Sequence, residues 1–167
     1  TEPISGMWYE PSICLAVQGA KRVLLGDDTY VYDAHHSLIT SVHLPTVVQI
    51  ITASREKPYL GLRLKLDQRE ISQLMVDSHL PPPRPQQSSR GMATGEVTLP
   101  LLTAFQRLID LLAEEKDIPI LAPIIQREIK MIAAVGVGVA VVWAAEKGRN
   151  SLCGDFLLSN GCSPSPL

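Results

Sequence analysis

The sequence has few aromatics, few cysteines and no excess of positive charge, and each shortage removes a class of function. Only 5% of its 167 residues are Phe, Trp or Tyr, too few for a stacking platform for single-stranded nucleic acid or an aromatic cleft for carbohydrate. The formal net charge is −2, whereas a surface that neutralises phosphates carries clustered Lys and Arg. The three cysteines, Cys14, Cys153 and Cys162, are odd in number and widely spaced, which predicts no disulfide framework. No basic segment followed by an apolar run opens the chain, so the expected compartment is a reducing cytoplasm. The longest apolar run, residues 131–145, lies between Lys130 and Glu146 and counts 15 residues. About 20 are needed to span a bilayer, and no membrane association is expected. There is also no Gly-x-Ser-x-Gly elbow, no Cys-x-x-Cys pair and no phosphate-cradling glycine loop, so the expectation is a binding module rather than an enzyme.

What is present divides by hydrophobic period. From Met7 to about Leu66, short runs rich in Val, Ile, Leu and Tyr alternate with turn formers, the pattern of a small antiparallel sandwich or barrel. Gly26-Asp27-Asp28 is the clearest hairpin turn, because Gly and Asp tolerate the backbone such turns require. Asp67 then caps a short helix to about Ser78, with Ile71, Leu74 and Met75 as its buried stripe. Residues 81–91, PPPRPQQSSRG, read as an exposed connector. Thr98-Leu99-Pro100 starts a second helix whose stripe is Leu101, Phe105, Leu108, Ile109 and Leu112. A third helix is expected from about Pro123, with Leu121, Ile125, Ile129 and Ile132 on one face. The fold class is therefore α+β, mainly β: an antiparallel β-barrel followed by a helical hairpin. The divisions are 1–80 for the barrel and its short helix, 81–97 for the connector with a closing strand, 98–132 for the hairpin, and 133–167 for an atypical apolar stretch and tail. The abrupt change near residue 131 leaves open a cloning boundary, a natural truncation or a shifted frame.

Five segments carry a resemblance. YEPSICLAVQG and the run that follows it to TVVQI, then KPYLGLRLKLD, RGMATGEV, LPLLTAFQRLIDLL and DIPILAPIIQREI resemble, in order and spacing, the N-terminal region of AraC-type transcription regulators from about Glu10 to Ile129. The resemblance implies a cupin-like barrel that binds a small effector, carbonyl or sugar-like, and appended helices through which two copies meet as a homodimer. In such regulators a pair of helix-turn-helix units follows and reads DNA. Here the chain continues instead into MIAAVGVGVAVVWAAEKGRN, so DNA is expected as a partner only through a region this chain lacks, and no specific duplex binding is expected at physiological salt.

Strand parity nominates the ligand-binding residues. Cys14, Ala16 and Gln18 share one face of their strand and Ile13, Leu15 and Val17 the other. With the aliphatic set packed under helices, the first set lines the cavity. A buried cysteine without a basic neighbour is more often an inert small hydrophobe than a reactive thiol, although the resemblance to aldehyde-responsive regulators gives Cys14 a second reading as an electrophile sensor. Tyr59, Gly61, Arg63 and Lys65 alternate with Leu60, Leu62, Leu64 and Leu66. The leucines form the core side, while Arg63 either covers apolar surface or pairs with a ligand at the barrel mouth, where Gly61 leaves room. His35, His36 and His43 raise the alternative of a metal-dependent cupin enzyme. Adjacent strand residues point to opposite faces, so no metal and no other cofactor is expected. His36 is retained as a ligand-binding candidate through the resemblance. A further alternative is a truncated product without regulatory output. The helical stripes offer more apolar surface than one barrel flank covers, which predicts a two-fold interface through Leu101, Phe105, Leu108, Ile109 and Leu112.

Overall fold

Strand formers and turn formers alternate along the first half of the chain, and the backbone follows them closely. The computed structural model describes residues 4–78 and 91–137. Its strands are β1 (Ile4–Tyr9), β2 (Ser12–Gln18), β3 (Ala20–Leu25), β4 (Asp28–Tyr32), β5 (His36–Thr40), β6 (Leu44–Thr52), β7 (Leu60–Lys65) and β8 (Met92–Glu96). Helix α1 (Gln68–Ser78) precedes β8, and α2 (Leu99–Asp110), a 3-10 turn (Leu111–Ala113) and α3 (Ile118–Val137) follow it. The strands form two antiparallel four-stranded sheets, ordered β1-β6-β3-β4 and β7-β2-β5-β8. Because the chain crosses between sheets after β1, β2, β4, β5 and β6, neighbours in sequence face each other across an interior instead of forming a meander. The expected antiparallel unit followed by a helical hairpin is what forms.

Two cores result. Between the sheets pack Tyr9, Cys14, Ala16, Val23, Tyr32, Leu38, Val48 and Met92. On the far side of the second sheet, Ile13, Leu15 and Ile39 pack against Leu101, Ala104, Phe105, Leu111, Ile125, Ile129 and Ala133 of the helices. Each fully buried aliphatic side chain contributes roughly 1.5–3 kcal/mol. The second sheet is thus covered on both faces, and β2 runs through its middle.

Several boundaries differ from expectation for identifiable reasons. The strand region begins at Ile4 rather than Met7: β1 pairs with β6 despite a register shift between Ile4 and Met7, where Gly6 adopts φ 75°. Leu60, expected on the core side, is 51% exposed, because the β2–β7 register shifts between Ala16 and Gln18. Only Leu62, Leu64 and Leu66 reach the helices. Helix α3 starts at Ile118, five residues before Pro123, since the Asp117 carbonyl accepts the Ile120 and Leu121 N–H groups. Pro119 then sits in the first turn, where a missing N–H costs nothing. That start turns Leu121 outward and brings Ile118 and Ala122 to the sheet. Residues 133–137, assigned from sequence to the atypical stretch, are the last turn and more of α3. The rest of that stretch lies outside the described residues, as does most of the connector.

One cap and two ion pairs fix the remaining helices. The Arg69 N–H donates to Asp67 Oδ1 at 2.7 Å, capping α1 as its sequence predicts. Arg127 pairs with Asp77 at 2.8 Å and Lys130, nearly buried, pairs with Glu70, tying α1 to α3. Leu74 of the expected α1 stripe is buried, while the Ile71 and Met75 side chains lie outside the described residues. Strand β8 closes the edge beside β5, with Ser41 N–H donating to Gly91 O at 2.8 Å and Val97 N–H to His35 O at 2.8 Å.

Glycine positions give a direct test of this geometry. Gly19 has φ 82°, and an added Cβ would lie 2.3 Å from the Thr52 carbonyl oxygen. Gly26 has φ 58° with nothing within 4 Å of an added Cβ. Gly26→Ala should cost about 1 kcal/mol, the left-handed backbone penalty alone. Gly19→Ala should cost about 3 kcal/mol or more, because backbone must also move. Urea denaturation of the two variants measures the difference, and equal midpoints would contradict the contact.

Candidate functional site

Three of the chain's four tyrosines meet in the space between the sheets. Tyr9 comes from the end of β1, Tyr32 from the end of β4, and Tyr59 from the residue before β7. The Tyr59 hydroxyl donates to the Tyr32 oxygen at 3.3 Å, and the Tyr9 and Tyr32 hydroxyls lie 3.4 Å apart. Tyr9 and Tyr32 are buried and Tyr59 is half-buried. Burial therefore holds all three phenols neutral: it pushes Tyr9 up to about 12 and raises Tyr32 and Tyr59 above the usual phenol range.

Lys21, from β3, reaches into the same space. Its ammonium nitrogen lies 5.6 Å from the centre of the Tyr9 ring and 5.8 Å from that of Tyr59, within range of a cation–π attraction. Burial lowers its amine below the ordinary lysine value. Cys14 forms part of the opposing wall, with its thiol 3.7 Å from the Ser12 hydroxyl. Burial raises that thiol, which the Ser12 contact only partly offsets, so Cys14 has the character of an inert core thiol rather than a nucleophilic thiolate. On the same wall Thr40, opposite Ser12, has a fully buried hydroxyl oxygen without a hydrogen-bond partner. At the β7 edge, Arg63 pairs with Glu10 at 3.1 Å, and Lys65 pairs with the same carboxylate oxygen at 2.8 Å. Lys65 first, with help from Arg63, holds Glu10 below the usual carboxylate range.

The residues nominated from sequence separate in space. Cys14 and Ala16 face the interior with Tyr59, while Ile13 and Leu15 pack under the helices. Val17, placed with them by parity, is 58% exposed at the strand's end. Gln18 is half-buried at the end of β2, and its Nε2 donates to the Pro58 carbonyl at 2.7 Å, fastening the segment before β7. The room beside Gly61 is taken by the Tyr59 side chain, whose hydroxyl would lie 2.7 Å from an added Cβ. His36 is exposed at the start of β5, where Asp33 Oδ1 lies 3.0 Å from its Nδ1 and also accepts the His35 and His36 N–H groups. Asp33 is held below the usual carboxylate range by those contacts, the His35 N–H first. Among the described residues no three His, Cys, Asp or Glu side chains lie close enough to hold a metal. Sequence reasoning misses Tyr9, Lys21 and Tyr32. Their signal is the scarcity of aromatics itself, combined with the inward parity that Lys21 shares with Val23.

The helical stripe also divides. Leu101 and Phe105 are 2% and 5% exposed and Leu108 is half-buried, all against the sheet. Their surface is spent within the chain. Ile109 and Leu112 remain 44% and 69% exposed, and Leu102, Ile120, Leu121 and Ile124 of the hairpin are exposed as well. Between the hairpin and the sheet lie an apolar groove of about 410 Å³ beside Val17, Leu102 and Gln106, and one of about 320 Å³ beside Leu64, Leu112 and Ala122. No helix among the described residues is long and apolar enough to cross a membrane.

The family described as AraC-type transcriptional regulator N-terminus matches residues 1–135. No curated protein matches the sequence. Among solved structures, apo ToxT K231A from Vibrio cholerae strain SCE256 is similar with a TM-score of 0.47 and 7% identity, covering 65% of this chain. The chain spans 41% of that protein's length.

Removing the shared oxygen should expose the tyrosine cluster's energetics. Tyr32→Phe leaves the Tyr9 and Tyr59 hydroxyls without their common partner and should destabilise the fold by about 1–3 kcal/mol in chemical denaturation. The pH dependence has a definite sign. Unfolded tyrosines ionise near 10 while the folded ones stay protonated, with Tyr9 at about 12. The native state therefore binds more protons, and stability falls as pH rises from about 10 towards 12. Tyr32→Phe should lose less over that interval than wild type, and an identical slope would contradict the assignment.

Proposed function

Since the chain belongs to the AraC-type transcriptional regulator N-terminus family, we propose that it is the effector-sensing and dimerisation part of a transcription regulator. The observation that carries this reading is the convergence of Tyr9, Tyr32 and Tyr59 with Lys21 inside the inter-sheet space. An interior needed only for stability is served by aliphatic packing. Here buried hydroxyls satisfy one another and an amine stands among them, groups that a small molecule with acceptor oxygens can engage. Carbonyl, sugar-like and acidic ligands all present such oxygens. The same cluster joins β1, β4 and β7, so a ligand that rearranges it acts on both sheets and through β2 on the helices.

The output is the association of two copies through the helical hairpin. Leu102, Ile109, Leu112, Ile120, Leu121 and Ile124 are among the apolar residues left exposed there, and a self-complementary two-fold contact covers such surface without creating a second sticky patch. Duplex contact in this reading belongs to a helix-turn-helix region distinct from residues 4–137, and the regulator works in the cytoplasm without metal or other cofactor.

Two measurements test the reading. Exposure of the purified protein to fractionated metabolite extracts, followed by mass spectrometry of retained molecules, should recover a ligand that Tyr32→Phe retains at least about tenfold less well. Failure to retain any small molecule would refute effector sensing. Light scattering at tens of micromolar should give a wild-type dimer and a Leu112→Glu monomer with unchanged far-UV circular dichroism. A wild-type monomer, or a dimer indifferent to the charge, would remove this face from the interface.

A further inference from the structure

The two sheets differ in what covers them. The helices lie on the second sheet, whereas outward residues of the first meet solvent. An antiparallel sheet with one wet face ordinarily alternates apolar inward with polar outward. On the first sheet the outward set is apolar across three strands: Trp8 of β1 lies opposite Pro45 of β6, and Val47, two residues on, lies opposite Leu24 of β3. Their inward neighbours Tyr9, Val23 and Val48 are buried, while Trp8 is 66% and Val47 37% exposed. Val31 of β4 is exposed on the same face, opposite Arg22. Arg22 donates to Gln49 Oε1 across the β3–β6 pair at 3.3 Å, so the charged member of this face is held by its neighbour.

Beside Trp8 the surface is hollow. A groove of about 410 Å³ runs over Leu24, Pro45 and Val47 between Gly6 and Gly26, with Trp8 as one wall, and none of the residues lining it is charged. Neither glycine has any atom within 4 Å of an added Cβ, so the groove is open at both. A projecting indole and an apolar hollow on one patch are a knob and a hole, and an isologous two-fold contact requires both on the same surface. The neutral lining sets no like charges against each other across such an axis, and it gives a charged partner nothing to pair with. Tryptophan among aliphatic groups, with charge kept to the margin, is also the composition of the centre of a protein contact. Three strands about 4.8 Å apart, over five residues of about 3.4 Å each, give a footprint of a few hundred Å². A stable complex buries roughly 800 Å² per partner, so the area fits a weak contact and not a permanent one.

We propose that the outer face of the first sheet is a second self-association surface, separate from the helical hairpin, through which two copies of this chain meet with Trp8 of each seated in the groove of the other. This goes beyond effector sensing and hairpin dimerisation. A chain with two separate two-fold contacts builds assemblies larger than a dimer. A contact of this size is silent between free copies at micromolar concentration and acts between copies already held side by side, where effective concentrations reach about millimolar.

The experiment uses the full chain carrying Trp143→Phe, which leaves Trp8 as its single tryptophan, together with Leu112→Glu to disable the hairpin face. Sedimentation equilibrium and tryptophan emission are followed from about 10 µM to about 1 mM. Association should appear with a dissociation constant on the order of 100 µM, and the emission should move to the blue over the same range as the indole leaves water. Trp8→Ser should weaken association at least about tenfold. Val47→Lys, which charges the groove and leaves the indole in place, should do the same and hold the emission at its solvent-exposed position. Both side chains are exposed, so far-UV circular dichroism should match that of the parent chain and separate lost contact from lost fold. No association up to about 1 mM, association that neither substitution weakens, or association without a change in Trp8 emission would each overturn the inference. The hairpin reading stands or falls separately, on the effect of Leu112→Glu at tens of micromolar in a chain that keeps Trp8.

Discussion

The structure depends on β2 being buried on both faces. Ser12, Ile13, Cys14, Leu15 and Ala16 are all inaccessible, a continuous run that a sheet with one wet face would not permit. Alternation along this strand divides the molecule: Ile13 and Leu15 anchor the helices, and Cys14 and Ala16 wall the inter-sheet space. A register slip of one residue would exchange the two sets, placing a thiol and a methyl under the helices and two large aliphatics against the tyrosines. Both β2 neighbours oppose such a slip, β5 through Ile13↔Ile39 and β7 through Ile13↔Leu64.

This arrangement sets the two cores back to back on one sheet. The sheet that carries Cys14 on one side carries the α2 and α3 contacts on the other, so a shift of β2 or β7 is felt by both cores. Packed interiors respond to such shifts by switching between discrete arrangements rather than by stretching. The ion pairs between α1 and α3 add little energy at the surface, where Arg127–Asp77 is largely exposed. Lys130–Glu70 differs because the lysine side chain is only 7% exposed and removal of Glu70 would leave a buried charge.

Much of the fold is legible because its signals are local. Gly26 at a hairpin, Asp67 at a helix start and the alternation from Ile13 to Ala16 each act within a few residues, and each is found where those rules place it. The failures come from interactions at long sequence range. Parity cannot foresee the bulge that exposes Leu60, because it arises from pairing two strands far apart in the chain. The stripe on α2 reads as one surface, yet Leu101 and Phe105 are claimed by a sheet whose position the helix sequence does not encode. The site is half legible. Cys14 and Ala16 follow from β2 alone, whereas the tyrosine cluster needs residues 9, 32 and 59 to be brought together by three separate crossings between sheets.

Strand β8 carries a consequence for how the molecule is made. It completes the sheet beside β5, although it lies beyond α1 and the connector, more than 50 residues further along the chain. Until Met92–Glu96 leaves the ribosome, the nascent β5 has an open edge, and Met92, whose side chain fills the interior next to Leu38, is missing from the fold. The sheet built by the strands before the connector is therefore left with an unpaired edge until β8 joins it. A gene fragment cut in the connector would yield an adhesive intermediate, and complementation by a separate peptide spanning β8 and the hairpin is the natural way to rescue it.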